Sequence, residues 1–91
     1  MLAAFDFGIT NTDVIINVDE KNSYYTFLSE PVNNQFIDKI FNSIDVNINE
    51  IKNIAVTGGK SSNLNSNFKD IPITKINEVE AIGLGAIALY D

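Results

Sequence analysis

The 91-residue chain contains neither cysteine nor histidine. That double absence removes disulfides, thiolate nucleophiles, zinc centres built on Cys or His, and imidazole acid–base chemistry. Catalysis, where present, rests on carboxylates, hydroxyls, backbone groups or a metal ion held by oxygen. Positive charge is also scarce: six Lys/Arg face twelve Asp/Glu, for a net charge of -6, and the cations form no cluster. A nucleic-acid partner is therefore not expected, because phosphodiester backbones are bound through a basic footprint. A nucleotide ligand stays open, since backbone N–H groups and a bound divalent cation hold phosphates without Lys or Arg. No apolar run approaches the roughly 18 residues of a membrane span. Asp6 interrupts the apolar start at Met1–Phe5 too early for a signal peptide. No membrane association is expected, and the expected location is cytoplasmic.

What is present suits one small globular domain spanning residues 1–91: 45% of residues are apolar and 20% charged, enough for a core and too balanced for disorder. Leu2–Phe7 and Val14–Val18 are two apolar β runs joined by a Gly/Thr/Asn segment, and Tyr24–Leu28 follows the turn chemistry of Asp19-Glu20-Lys21-Asn22 as a third strand. Pro31 ends it. Asn33 or Asn34 then caps a helix whose Phe36, Ile37, Ile40, Phe41 and Ile44 fall on one stripe. Ile51–Val56 is a fourth strand running into Thr57-Gly58-Gly59. Lys60–Phe68 suits a short helix or a loop. Ile71–Ile76 alternates as a fifth strand, with Pro72 confining it to an edge or to the strand's start. Asn77 caps a final helix over Glu78–Tyr90, with Gly83 and Gly85 each costing about 1 kcal/mol relative to Ala.

Three segments carry candidate chemistry. Asp6 ends the first strand, Gly8 permits a tight turn, and Gly8-Ile9-Thr10-Asn11-Thr12 offers backbone N–H groups and hydroxyls suited to a phosphate, with Asp6 able to hold Mg2+ directly or through water. An ordinary hairpin loop uses the same residue types. Thr57-Gly58-Gly59 closes a buried strand where α/β sheets bind ligands, although a plain strand-to-helix turn also fits. Glu78 and Glu80 stand in the first turn of the last helix, either as favourable charges against its dipole or as a general base.

The element order, with a short helix at Lys60–Phe68, resembles the ribonuclease-H-like lobe of actin-like ATPases and sugar kinases, the ASKHA superfamily. That resemblance implies an α/β fold: a mixed five-stranded sheet of order 3-2-1-4-5 with β-β-β-α-β-α-β-α connectivity. Asp6-x-Gly8-x-Thr10, Thr57-Gly58-Gly59 and Glu78-x-Glu80 with Gly85 beyond them further resemble the N-terminal lobe of type II pantothenate kinases, in order and over nearly the whole chain. The resemblance implies ATP and Mg2+ as cofactors, a small hydroxyl substrate such as pantothenate on the route to coenzyme A, Glu78 as catalytic base, and a homodimer or a partner second lobe, that lobe lying outside these 91 residues. Two positions depart from the family pattern: Ile9 replaces a second glycine, and Asp13 stands where the family carries a phosphate-facing lysine. Thr10-Asn11-Thr12-Asp13 is similar instead to the opening of hydantoinase and acetone carboxylase subunits, ATPase lobes of the same superfamily. A non-catalytic domain of that type is a further alternative. A ribonuclease-H-like nuclease is disfavoured, because the fourth strand ends in Thr57-Gly58-Gly59 rather than in the extra carboxylate a two-metal site needs.

Overall fold

A computed structural model describes residues 1–58 and 60–76. Six strands form one mixed sheet: β1 (Leu2–Phe7), β2 (Asn11–Val18), β3 (Lys21–Leu28), β4 (Asn53–Gly58), β5 (Asn67–Phe68) and β6 (Ile71–Lys75), in the spatial order β3-β2-β1-β4-β6-β5. One helix, α1 (Asn34–Ser43), joins β3 to the second half of the sheet.

β1 pairs antiparallel with β2, and β2 with β3, whereas β4 runs parallel to β1 and β6 parallel to β4. The parallel step from the meander to β4 needs a crossover, and α1 supplies it. Asn33 starts that helix: its side-chain oxygen accepts a hydrogen bond from the Phe36 N–H at 2.9 Å, which satisfies one of the donors a helix start leaves unpaired. The stripe Phe36, Ile37, Ile40 and Phe41 is buried. It meets Ala3, Phe5, Phe7, Val14, Ile16, Ile54, Val56 and Ile73, the inward-facing alternate residues of the central strands. Phe41 is the centre of this packing. Its ring meets Phe5 edge-on at 5.5 Å and Phe68 at 5.7 Å, so one side chain ties β1 and β5 to the helix.

The structure extends the expected five-stranded order to six. Lys60–Phe68 holds no α-helix; it contains a 3-10 turn at Ser61–Asn63 followed by β5, two residues long. β5 is joined to β6 through Lys69 and Asp70, both at positive φ (47° and 69°). Asp19 and Glu20 connect β2 to β3 in the same way, at 51° and 67°. Two successive left-handed residues make the tight turn whose twist matches that of the flanking strands, so β3 begins at Lys21 rather than Tyr24. The predicted fifth strand is β6. Its Pro72 precedes the ladder to β4, which begins at Ile73, so the missing N–H costs that ladder nothing. The predicted last helix, with Asn77, Glu78, Glu80, Gly83 and Gly85, lies outside the described residues, as does Gly59.

Phe41→Ala is expected to destabilise the domain by about 3–5 kcal/mol, read as a lower urea midpoint with an unchanged denaturant slope. A loss below 1 kcal/mol would mean that the ring cluster does not organise the core.

Candidate functional site

Parallel pairing of β1 with β4 sets Asp6 beside Thr57 and Phe7 beside Gly58. Two of the sequence-predicted segments thus meet at the C-terminal ends of adjacent parallel strands, the edge at which α/β sheets place ligands. Their approach is close. Gly58 has φ +113°, and a Cβ there would lie 2.3 Å from the Phe7 carbonyl oxygen, so position 58 accepts only glycine on both counts. Ser61 Oγ donates to the Gly58 carbonyl at 3.0 Å and holds the chain as it leaves β4.

The β1–β2 turn is shorter than the sequence suggested. Asn11, Thr12 and Asp13 belong to β2, leaving Gly8, Ile9 and Thr10 as the connection. The Gly8 N–H bonds the carbonyls of Asp6 (3.2 Å) and Asn11 (3.0 Å). A Cβ at Gly8 would come within 2.6 Å of the Asn11 carbonyl oxygen. Glycine is needed here for space, not for a left-handed backbone. Ile9 stands fully exposed at the tip, and Thr10 is exposed beside it. Among the described residues, the hydrogen bonds closing the turn do not use the N–H groups of Ile9 and Thr10.

Thr12 is buried, on the α1 side of the sheet. Its Oγ1 lies 3.0 Å from Ser29 Oγ. Ser29 Oγ gives its one proton to the Gly8 carbonyl at 2.7 Å, which makes Thr12 the donor to Ser29. The Ser29 N–H in turn bonds the Thr10 carbonyl at 2.9 Å. Ser29 therefore clamps both ends of the turn to the exit of β3. Its partners are up to 21 residues away, and no local pattern in the sequence marks it.

The opposite face carries a polar row. Thr57, Asp6, Asp13 and Thr26 are cross-strand neighbours on β4, β1, β2 and β3, and Thr26 Oγ1 donates to Asp13 Oδ1 at 2.9 Å. Like charges placed directly opposite repel, and Asp6 and Asp13 are such cross-strand partners. Thr57 is 3% exposed, and its Oγ1 has no hydrogen-bond partner among the described residues. It lines a cavity of about 20 Å³ together with Ala4, Asp6, Ala55 and Ile76, a space of the size one water fills. This all-oxygen donor set has the chemistry of a hard divalent cation. Among the described residues no group of three or more Asp, Glu, His or Cys gathers at one point. A metal here would depend on few protein carboxylates, as Mg2+ does when water and phosphate complete its shell.

Thr57→Val removes a buried hydroxyl that has no partner among the described residues, so it is expected to be neutral or to stabilise by about 1 kcal/mol. Gly58→Ala should cost about 2–4 kcal/mol from strain and overlap. Thermal unfolding of the two variants checks both signs; destabilisation by Thr57→Val would reveal a bound water or ion on that oxygen.

No protein-family model matches the chain, and no curated protein matches it. Among solved structures it is similar to the activator of 2-hydroxyisocaproyl-CoA dehydratase from Clostridium difficile with bound ADPNP, with a TM-score of 0.62, 20% identity and 87% of this chain covered. The chain spans 30% of the length of that protein. At this identity the likeness is one of fold alone.

Proposed function

We propose that the chain is the phosphate-binding lobe of an ATP-dependent phosphotransferase. The observation that carries this reading is the convergence of the Gly8–Thr10 turn, Asp6 and Thr57-Gly58 at one strand edge, in a fold shared with a protein whose structure holds ADPNP. In this reading the N–H groups of Ile9 and Thr10 and the Thr10 hydroxyl face the phosphates. Asn11 and Thr12 support the turn from within β2. Asp6 holds Mg2+, directly or through water, with Asp13 and Thr57 beside it. Bound there, Mg2+ would neutralise phosphate charge during transfer.

The finer assignment is a pantothenate-kinase-like enzyme of coenzyme A biosynthesis, supported by the three sequence segments in family order. Glu78 takes the proton from the substrate hydroxyl, Gly59 completes the loop after β4, and a second lobe or a partner subunit closes over the nucleotide. A second reading has its own support. The fold neighbour is an activator rather than a kinase by its description, and Asp13 stands where the kinase pattern has a lysine. An ATPase lobe without an alcohol acceptor, or a non-catalytic nucleotide-binding domain, accommodates both facts.

Binding of Mg-ATP is the first test. Gly8→Ala should weaken it about tenfold or more by displacing the turn, while Ser23→Ala, exposed on β3 away from the turn, leaves it within about twofold. Wild-type chain that shows no amide shifts with millimolar Mg-ATP would overturn the reading. In the full-length protein, Glu78→Gln should lower kcat by about 10²- to 10⁴-fold with nucleotide affinity nearly unchanged. Phosphate release without an acceptor, indifferent to Glu78→Gln, would instead favour the ATPase reading.

A further inference from the structure

The reverse side of the β1–β2 turn holds a larger recess of about 530 Å³. Phe7, Ile9, Pro31 and Val32 form its apolar walls, and Lys60 and Asn63 reach it from the segment after β4. Asp6 and Asp13 do not line it, because both point to the other face of the sheet. Glu30 stands at its rim but is paired with Lys39. Among the described residues the Lys60 ammonium makes neither an ion pair nor a hydrogen bond. The recess therefore combines one uncompensated ammonium group with an apolar lining, in a chain whose net charge is -6. An isolated cation on so acidic a molecule is the place where a small anion meets least repulsion. Ile9 adds a second reason. It is exposed across its whole surface, and an apolar ligand body laid against it removes that surface from water.

We propose that this recess is a second binding site, distinct from the phosphate row, for a small organic monoanion: a carboxylate on Lys60 with its apolar chain against Phe7, Ile9, Pro31 and Val32. One ammonium matches one negative charge. Ser29, the hydroxyl among its lining residues, has already given its proton to Gly8, which leaves Lys60 and the Asn63 amide as side-chain donors, fewer than a phosphate dianion calls for. A ligand here touches the turn from behind, and so acts together with a phosphate on the other side instead of competing with it.

The test is amide chemical-shift titration of the 91-residue chain with hexanoate, its neutral isostere hexanamide, and inorganic phosphate. Hexanoate is expected to shift Gly8, Ile9, Val32, Lys60 and Asn63 while leaving Tyr24 and Thr26 in place, and to bind about tenfold tighter than hexanamide. Lys60→Met should abolish that preference. Lys60→Gln should do the same with the amide positions of β2 and β3 unchanged, which separates lost charge from lost fold. Equal binding of acid and amide, a preference that survives both substitutions, displacement of hexanoate by an equal concentration of phosphate, or no shifts at the recess would each overturn the proposal. No nucleotide enters this measurement, so its failure is distinguishable from failure of the ATP-binding test above.

Discussion

The carbonyl oxygen of Phe7 occupies the space in which any side chain at position 58 would begin. This contact locks β4 against β1 at one register, and the rest of the molecule follows from it. A slip by one residue would turn every side chain of β4 to the other face, placing Ile54 and Val56 away from α1 and Ala55 and Thr57 into the core. With the register fixed, Phe5 and Phe7 stay under the helix. Asp6 is then forced to the opposite face beside Thr57, and the β1–β2 turn emerges at the same edge as the end of β4.

The turn is held from one side only. Ser29 bonds Gly8, Thr10 and Thr12 on the α1 side, so the turn is anchored to β3 from that side. The other side carries Asp6, Asp13 and Thr57, whose hydroxyl has no partner among the described residues. Such asymmetry suits a ligand site, where a fixed backbone must present groups that the fold itself does not consume. It also shows how a short loop attains order without glycine at its tip: Ile9 is free to be large because the constraint falls on Gly8.

Much of this was legible in the chain. The apolar runs located β1, β4 and β6, and the five-position stripe located α1 with its Asn33 cap, because burial leaves a period in the sequence. The Asp6 and Thr57-Gly58 segments were recognisable as strand ends for the same reason: each closes an apolar run. Other features left no such mark. β5 is two residues long and cannot display a period. The start of β2 reads as polar loop since Asn11 and Asp13 are exposed and Thr12 is buried through a hydroxyl bonded to Ser29. Gly8 suggested a tight turn, but the steric reason for it depends on where Asn11 folds back. Ser29 owes its position to contacts distant in sequence, which no local pattern records.

Asp13 shows how placement changes the meaning of a residue. In sequence it is the loss of a cation near phosphate, which argues against nucleotide binding by simple repulsion. In the sheet it faces Asp6 across one strand spacing, and its Thr26 bond engages only one of its two oxygens. Opposed carboxylates on adjacent strands lower stability, and so does a buried hydroxyl without a partner. Both features lie in one row, where apolar residues would instead extend the Ala4, Ile15 and Ala55 cluster beneath them. A bound cation would reverse the sign of each cost at once: the repulsion becomes shared coordination and the idle oxygen a ligand or a water partner. The proposed phosphate lobe is the reading under which this row of the sheet stabilises a complex at the expense of the empty fold.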